Sequence, residues 1–576
     1  MRLPAPPFVL LDDARIGGAP ARLYRDPVDI VEANGKERVE AALDQIRLAT
    51  AQGLHAAGSL DYEGSSLWFG LFRGFETLDS DQVDALLPDP AGAWAGVPEP
   101  QIGWPAYRDA CDRVLDYICA GDIYQANLTF RATLRYAGSE PALFALLRKR
   151  ARAGYGALVA TGSRWLLSFS PELFFALEGD RLTARPMKGT AARTGDAVED
   201  AARAQALAAD AKQRAENLMI VDLMRNDLAT VAQAGSVAVP HLFRVESYPT
   251  VHQMISTVTA RLRPGLDAVD ALRALFPCGS VTGAPKIRAM QIIGEVEQGA
   301  RGIYTGAIGR LDANGDAMFN VAIRTLVCDG QGRAVLGLGS GVVADSRARA
   351  EWEECLAKGA FVTAGETPFD LIETMRFDPL DGIAFLERHL SRMKASARAL
   401  GFPFDRHNVR NELQAATFRL RHPTRIRLLL GPSGSIAIGA RPLPPEPAAP
   451  VRVAVRPLPV ATADFRLRHK TSRRAFYDQA REGAGAWEVL FTDPDGYLTE
   501  GSFTSLFVER DGGMLVTPPL ARGLLPGVLR AELLDSGRAV EGDLTPADLA
   551  RGFFLGNAVR GLVAAVTVAE AVNPDV

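Results

Sequence analysis

The sequence predicts a multidomain protein of the α/β (α+β) class, and three observations carry that expectation. The chain has 576 residues, enough for about two to four domains. Stretches with an apolar face at helical spacing are interleaved with β-branched runs bounded by Gly, Pro and Asp. The pattern also breaks at Ala364-Gly365-Glu366-Thr367-Pro368 and at the proline-rich Pro442–Pro450. These read as a domain boundary and a linker between subdomains. Hydrophobic residues make up 47% and charged residues 23%, so a packed core is expected. A net charge of -4 gives no reason to expect nucleic acid or an anionic membrane as partner. The cysteines Cys111, Cys119, Cys278, Cys328 and Cys355 contain no C-x-x-C pair, which suits a reducing compartment and excludes a disulfide framework or structural zinc. The apolar run Phe8-Val9-Leu10-Leu11 is too short for a signal peptide. No stretch reaches the ~18 apolar residues of a membrane span. A cytoplasmic protein is expected.

Taken in order, residues 8–11 predict a strand and Arg38–Gln52 an amphipathic helix. Residues 80–104, rich in Pro, Gly and Asp, predict a loop. A helix follows with Tyr107, Cys111, Val114, Leu115 and Ile118 on one face and Gly121 as its stop. Ser170 to Lys188 predicts a β-hairpin turning at Gly179-Asp180. Lys212–Leu228 predicts a largely buried helix. Residues 250–262 form an apolar, β-branched run around His252, and a lone histidine there is more often a satisfied core residue than a catalyst. Pro277–Lys286 predicts a glycine-rich loop opening a helix, an anion site without the spacing of a Walker loop. Strands are expected at Gly302–Leu311 and Phe319–Val327, a glycine-rich turn at Gly337–Gly341, and a helix from about Arg347 to Val362 with Asp345 and Ser346 as N-cap types. In the rear half a helix opens at Phe385 and runs to Leu400, and hairpin-like strands flank Asp493-Pro494-Asp495-Gly496.

The chemistry is expected around Arg185-Pro186-Met187-Lys188-Gly189-Thr190. Proline stiffens the strand end and glycine permits close approach, so an amine sits at the tip of a rigid element where a nucleophile is useful. With a two-residue turn, Glu172 lies within about one residue of facing Lys188, at a cross-strand spacing of roughly 5 Å. Glu216 sits at the edge of an apolar helix and needs a partner. Glu351 and Glu354 share a helix face. Together these acids suit a hard cation, magnesium, or else a solvated acidic face. Arg324, read as mid-strand, calls for a carboxylate from protein or substrate.

Read together, the stretches IYQANLT, SPELFF, RPMKGT, ENLMIVDLMRNDL, GSVTGAPK, YTGAIG, FNVAIRT and GSGVVADS followed by EWEEC make residues 1–365 resemble the chorismate-utilising enzymes, specifically the aminodeoxychorismate synthase component I family. The resemblance implies a sandwich of large antiparallel sheets flanked by helices. It implies that Lys188, where anthranilate and isochorismate synthases carry a small residue, is the nucleophile at C2 of chorismate. Glu172 is then the general acid for the departing C4 hydroxyl. It further implies Glu216 and Glu354, with Glu351 close by, as magnesium ligands. Gly189, Thr282, Tyr304, Arg324, Gly341, His252 and Lys358 are implied as substrate contacts. Ammonia would come from a separate glutamine amidotransferase, since the chain has no G-x-C-x-G nucleophile elbow. Leu10-Leu11-Asp12-Asp13 stands where anthranilate synthases carry the L-x-E-S motif of tryptophan feedback.

Residues 366–576 resemble the fold-type IV pyridoxal-phosphate enzymes, specifically the aminodeoxychorismate lyases, beginning near Phe369-Asp370-Leu371-Ile372-Glu373-Thr374, about one strand short of the usual start. That resemblance implies two subdomains and pyridoxal 5′-phosphate. Lys470 is implied as the cofactor lysine, Glu500 as the partner of the pyridine nitrogen, and Arg392, Val528, Leu529, Asn557 and Ala558 as the phosphate cup. It also implies a homodimer through this domain. The expected activity is conversion of chorismate to 4-aminobenzoate in the folate pathway. The alternatives are an anthranilate- or isochorismate-type front half, and a rear half that is an aminotransferase or a catalytically idle module.

Overall fold

The structure is a computed structural model that describes residues 3–247, 251–510 and 512–568. It divides into two compact units. The first comprises Met1–Pro88, Val97–Leu134 and Phe144–Ala364; the second comprises Asp89–Gly96, Arg135–Leu143 and Gly365–Val576. The break falls at the expected Ala364-Gly365, but two short segments of the front half belong to the rear unit.

In the first unit two antiparallel sheets face each other. One runs Gly283–Ala284, Gln125–Ala137, Arg333–Val343, Thr325–Cys328, Trp165–Ser170, Tyr155–Ala160, Phe8–Asp12, Ala21–Arg25, Glu76–Leu78. The other runs Met187–Ala192, Val251–Arg261, Arg181–Arg185, Leu173–Glu178, Ala317–Val321, Ala307–Leu311, His55–Leu60, Ser66–Phe72, Asp29–Asn34. Val9, Tyr24, Val159 and Leu166 of the first sheet pack with Trp68, Phe72 and Ile308 of the second. Alternating side chains put these residues on the inner faces. The outer face of the second sheet is covered by the apolar sides of helices Lys36–Ala51, Ala211–Ala229 and Ala268–Leu275, through Leu43, Ile46, Ile220, Met224 and Leu272. On the first sheet, Trp352 of helix Ala348–Gly359 stacks on Phe130, and Tyr107 of helix Trp104–Cys119 meets Phe130 edge-on. The expected helix-flanked antiparallel sandwich is the observed one.

The rear unit has two sheets, as the proline-rich break predicts. A four-stranded sheet (Gly382–Ile383, Leu371–Asp378, Thr424–Leu430, Ile436–Pro442) packs on helices Leu386–Leu400 and Arg406–Thr417. Its core takes in Trp94, one of the residues contributed from the front half. A mixed sheet follows: Leu498–Gly501, Glu488–Thr492, Val451–Pro457, Gly561–Thr567, Phe553–Asn557, Ser505–Glu509, Leu515–Thr517, Ala539–Glu541. Pairing of Glu500 with Ser505 closes its first six strands into a ring.

Several local expectations are corrected. Residues 80–104 are not all loop: Asp79 and Gln82 form a capping box that starts helix Ser80–Leu86. The hairpin turns at Gly179-Asp180 as expected, but a register shift between Leu173 and Ala176 and the break at Pro186 end it before Lys188. Lys188 instead lies in strand Met187–Ala192, which pairs with Val251–Arg261. Arg324 is not mid-strand. The run 319–327 splits into Ala317–Val321 of one sheet and Thr325–Cys328 of the other. Arg324 makes the crossing with φ +49°, a conformation costly for a residue with a side chain. The first part of the run 302–311 is a turn, and the strand is Ala307–Leu311. Gly337–Gly341 is a strand, not a turn. Its glycines clear room for other side chains: a Cβ on Gly337 would meet the Tyr304 ring at 2.0 Å, and one on Gly341 would meet Lys188 Nζ at 2.5 Å. Helix Ala348–Gly359 has Arg347 at its N-cap without a side-chain cap. Thr250, at the head of the run 250–262, lies outside the described residues.

Candidate active sites

Lys188 is half-buried, with its amine over Gly341 and 3.7 Å from Glu216 Oε2. Its backbone is fixed from behind. Asn217 Nδ2, one residue on from Glu216 in the same helix, donates to Lys188 O (3.1 Å) and Met254 O (3.3 Å), while Ser256 Oγ donates to Asn217 Oδ1 (2.6 Å). Gly189, at φ +102°, packs against Gln213 and Met254. Only glycine takes that conformation without strain.

Glu172 is 4% exposed, and its Oε1 has no hydrogen-bond partner among the described residues. Burial pushes its carboxyl up to about 7, against the pull of the Ser280 hydroxyl, the Met187 amide, Lys188 and Lys358. Near neutral pH this group holds a transferable proton beside an amine, the arrangement general acid catalysis needs. Glu172 and Lys188 thus lie close enough to interact, by a different route than a hairpin.

Burial also raises Glu216, with Lys188 and Lys212 opposing and Glu354 adding to the rise, so the two carboxyls feel each other. Each faces a lysine: Glu216 faces Lys188, and Glu354 Oε1 lies 2.7 Å from Lys358 Nζ. Lys358 Nζ also donates to Gly339 O (2.9 Å). Glu351 accepts from Ser346 Oγ (2.7 Å). Among the described residues no three His, Cys, Asp or Glu side chains gather at metal-binding distance. The pair Glu216 and Glu354 nevertheless has the oxygen donors of a site in which magnesium takes one or two carboxylates and fills its shell from substrate and water.

Tyr304 and Arg324 are brought together by the backbone: Thr305 N, at φ +62°, donates to Ala322 O (2.9 Å), two residues before the strained Arg324. Two side-chain-bearing residues at positive φ in bonded segments are strain that the surrounding structure must hold in place. Thr282 is buried and its hydroxyl donates to Gly279 O (3.0 Å), so it shapes the Gly279–Ala284 loop. His252 is the exception. Its Nε2 lies 3.0 Å from Asp200 Oδ1 and its Nδ1 2.8 Å from Ser247 Oγ, so both ring nitrogens are taken. Both contacts fit the reading of a satisfied core histidine.

The second site is a cavity of about 560 Å³ in the rear unit, lined by Lys470, Glu500, Arg392, His389, Val528, Leu529, Asn557 and Ala558 among others. Burial, helped by Arg392 and Arg474, pulls the Lys470 amine down to about 7 against Glu373 and Glu500. Burial pushes Glu500 up to about 8, and Tyr477 Oη donates to its Oε1 (2.6 Å). Beneath it the buried Glu488 accepts from Ser502 Oγ (2.6 Å) and Thr504 Oγ1 (2.9 Å), pinning the 500–504 turn. The Arg392 guanidinium is gripped by Glu373 (2.8 and 2.6 Å) and donates to Pro526 O (3.1 Å), next to the start of helix Val528–Asp535. Asn557 Oδ1 accepts from the Val559 and Arg560 amides, so it builds the turn carrying Ala558.

These residues fit pyridoxal phosphate. A buried amine with a lowered pKa, an acid opposite it, and an arginine next to a helix N-terminus share one cavity, and the buried His389 Nε2 in its wall has no partner among the described residues. Asn217, Ser280, Glu373, His389 and Glu488 were not singled out from sequence. Asn217 and Ser280 lie inside the quoted motifs, but nothing in their spacing marks them. His389 shares a helix face with Arg392 three residues on, whereas Glu373 meets both only in the fold.

Comparisons with known proteins follow the two units. A family model described as "chorismate binding enzyme" matches residues 75–364, and one described as "Amino-transferase class IV" matches residues 370–568. Aminodeoxychorismate synthase component 1 of Klebsiella aerogenes is 46% identical over 252 residues, 44% of this chain and 56% of that protein. Anthranilate synthase component 1 2 of Haloarcula marismortui is 38% identical over 284 residues, 48% of this chain and 53% of that protein. The chain thus spans just over half the length of the curated relatives it matches. The structure of anthranilate synthase component I from Streptococcus pneumoniae aligns with a TM-score of 0.52 at 26% identity, over 60% of this chain and 93% of that one. The helix-flanked sandwich, the Lys188 and Glu172 pair and the match over residues 75–364 lead to one conclusion: the chain belongs to the chorismate binding enzyme family.

Proposed function

We propose that the front unit aminates chorismate at C4 and the rear unit releases pyruvate from the product, giving 4-aminobenzoate. The observation that carries the first half is Glu172, buried and held protonated near neutral pH, next to the Lys188 amine. In this reading Lys188 bonds to C2 as the C4 hydroxyl departs with the Glu172 proton. Ammonia then bonds at C4 and the Lys188–C2 bond breaks, restoring the amine. Arg324 and Tyr304 bind the substrate's carboxylates and ring. Glu216 and Glu354 would hold magnesium, which supplies positive charge against a substrate carboxylate. The lysine supports amination at C4 over an anthranilate- or isochorismate-type reaction, since those synthases carry a small residue there. The higher identity to the Klebsiella relative points the same way. The name "component 1" fits a partner, a glutamine amidotransferase, as ammonia source.

For the rear unit, Lys470, Glu500 and Arg392 would hold pyridoxal phosphate, which when bound supplies an electron sink. Lys470, with its pKa near neutrality, moves the proton lost from the substrate, and the bond to the enolpyruvyl oxygen breaks as the ring becomes aromatic. Beyond Arg392, the cavity wall carries Arg425, Arg427, Arg474, Arg481 and Arg560 against the acids Asp478 and Glu500. Burial, and after it the nearby charge of Arg425, lower the pKa of Arg560. Neither has a carboxylate partner among the described residues. That wall suits a substrate with two carboxylates and has no use for an apolar amino acid, which argues for a lyase over a branched-chain aminotransferase.

The test combines the purified chain with chorismate, magnesium, ammonium and pyridoxal phosphate and separates the products by chromatography. 4-Aminobenzoate is the expected product. Anthranilate would overturn the front assignment, and aminodeoxychorismate that is never consumed would overturn the rear one.

A further inference from the structure

His389 is 1% exposed and belongs to the wall of the rear cavity. Its Nδ1 lies 2.6 Å from Glu373 Oε2, and its Nε2 is buried with no partner among the described residues. Leaving such a group unpaired is costly, so a buried, unpaired nitrogen on a side chain that lines the cavity calls for a ligand. The neighbouring charges say which kind. Glu373 holds both His389 and Arg392, and its carboxyl is kept at about 2: burial opposes its charge, and Arg392 and His389 outweigh burial. It is therefore ionised and offsets the charge of the arginine. An incoming phosphate dianion meets a guanidinium that is already neutralised. The other group facing His389 is Lys470, from the segment after helix Phe465–Arg468. Burial, Arg392 and Lys470 all favour the neutral ring while the cavity is empty, and Glu373 opposes them. An anion of charge two beside Nε2 reverses that balance.

We propose that His389 is part of the phosphate site of the rear cavity: as a phosphate monoester binds, Nε2 takes one proton from solvent and donates it to a phosphate oxygen. Glu373 then faces two cations, Arg392 and the imidazolium, and the phosphate is matched by net positive charge. The inference rests on the reading of this cavity as a pyridoxal-phosphate site.

The experiment titrates the full, cofactor-free chain with pyridoxine 5′-phosphate, whose alcohol cannot react with Lys470, by calorimetry at pH 8. Two buffers of different protonation enthalpy give the number of protons taken up. The wild type is expected to take up about one proton more than His389→Gln, and the variant to bind roughly ten- to a hundredfold more weakly, the value of a charge-assisted hydrogen bond. Pyridoxine, without the phosphate, should bind both proteins alike. Equal proton uptake and equal affinity in the two proteins would overturn the inference and leave the cavity reading standing. Failure of the wild type to bind would overturn both. Should the variant not fold, the wild type labelled at its 7 histidines decides by nitrogen NMR. One Nε2 moving from the unprotonated to the protonated range on binding supports the inference, and none moving overturns it.

Discussion

Two lysines in this chain sit in opposite electrostatic settings. Lys188 is half-buried among carboxyls, with Glu216 at 3.7 Å and the protonated Glu172 alongside. Lys470 is half-buried too, but desolvation, with Arg392 and Arg474, pulls its amine down to about 7 against Glu373 and Glu500. The first setting keeps an amine next to a proton donor and to the acids suited to a cation. The second makes a neutral amine ready to bond at ordinary pH. The difference teaches that each unit sets the charge balance around its own lysine through local neighbours.

The largest effects should separate the two centres. Lys188→Ala is expected to lower aminodeoxychorismate formation at least about a thousandfold, as loss of a nucleophile does. It should leave binding of pyridoxal phosphate, read by its visible absorbance, unchanged. Lys470→Ala should do the reverse, erasing that absorbance and letting aminodeoxychorismate accumulate. A variant that disabled both readouts would break the comparison.

Next in size is the acid. Glu172 works in its protonated form, so its contribution to kcat/KM for the front reaction should fall as pH rises through about 7. Glu172→Gln should cost about 10²–10⁴-fold and remove that alkaline limb from the pH profile. The same shift has a stability sign. The folded pKa stands above the ordinary 4.5, so the stability it contributes is fully present below about 4.5 and is lost as pH rises through 7.

A smaller structural change sharpens the point. Gly341→Ala would place a Cβ 2.5 Å from the Lys188 amine. The side chain is flexible, so the melting temperature should hardly move, while kcat of the front reaction falls because the amine is displaced. The smallest effect is expected at Arg425→Ala. A rise in KM of about tenfold for aminodeoxychorismate with little change in kcat would mark lost carboxylate binding.

Much of this was legible in the chain. The alternation of helices and strands and the helix-flanked antiparallel sandwich stand as expected. The errors share a cause. Gly337–Gly341 reads as a turn because glycine is the usual turn residue, yet here its missing Cβ admits Tyr304 and Lys188 across a strand. Arg324 reads as mid-strand because nothing local shows that its neighbours leave for different sheets. His252 reads both as a core residue and as a substrate contact, and only the fold shows Asp200 and Ser247 closing on its ring.

What the sequence determined by itself was the chemistry on offer: an amine after proline, acids at fixed helix spacing, a second lysine–acid pair, and the order of helices and strands. Those follow from local propensity and side-chain type. The tertiary structure alone decided which groups are charged. The raised pKa of Glu172, the lowered pKa of Lys470 and the unpaired Nε2 of His389 depend on burial and on neighbours distant in the chain, and no reading of spacing supplies a dielectric.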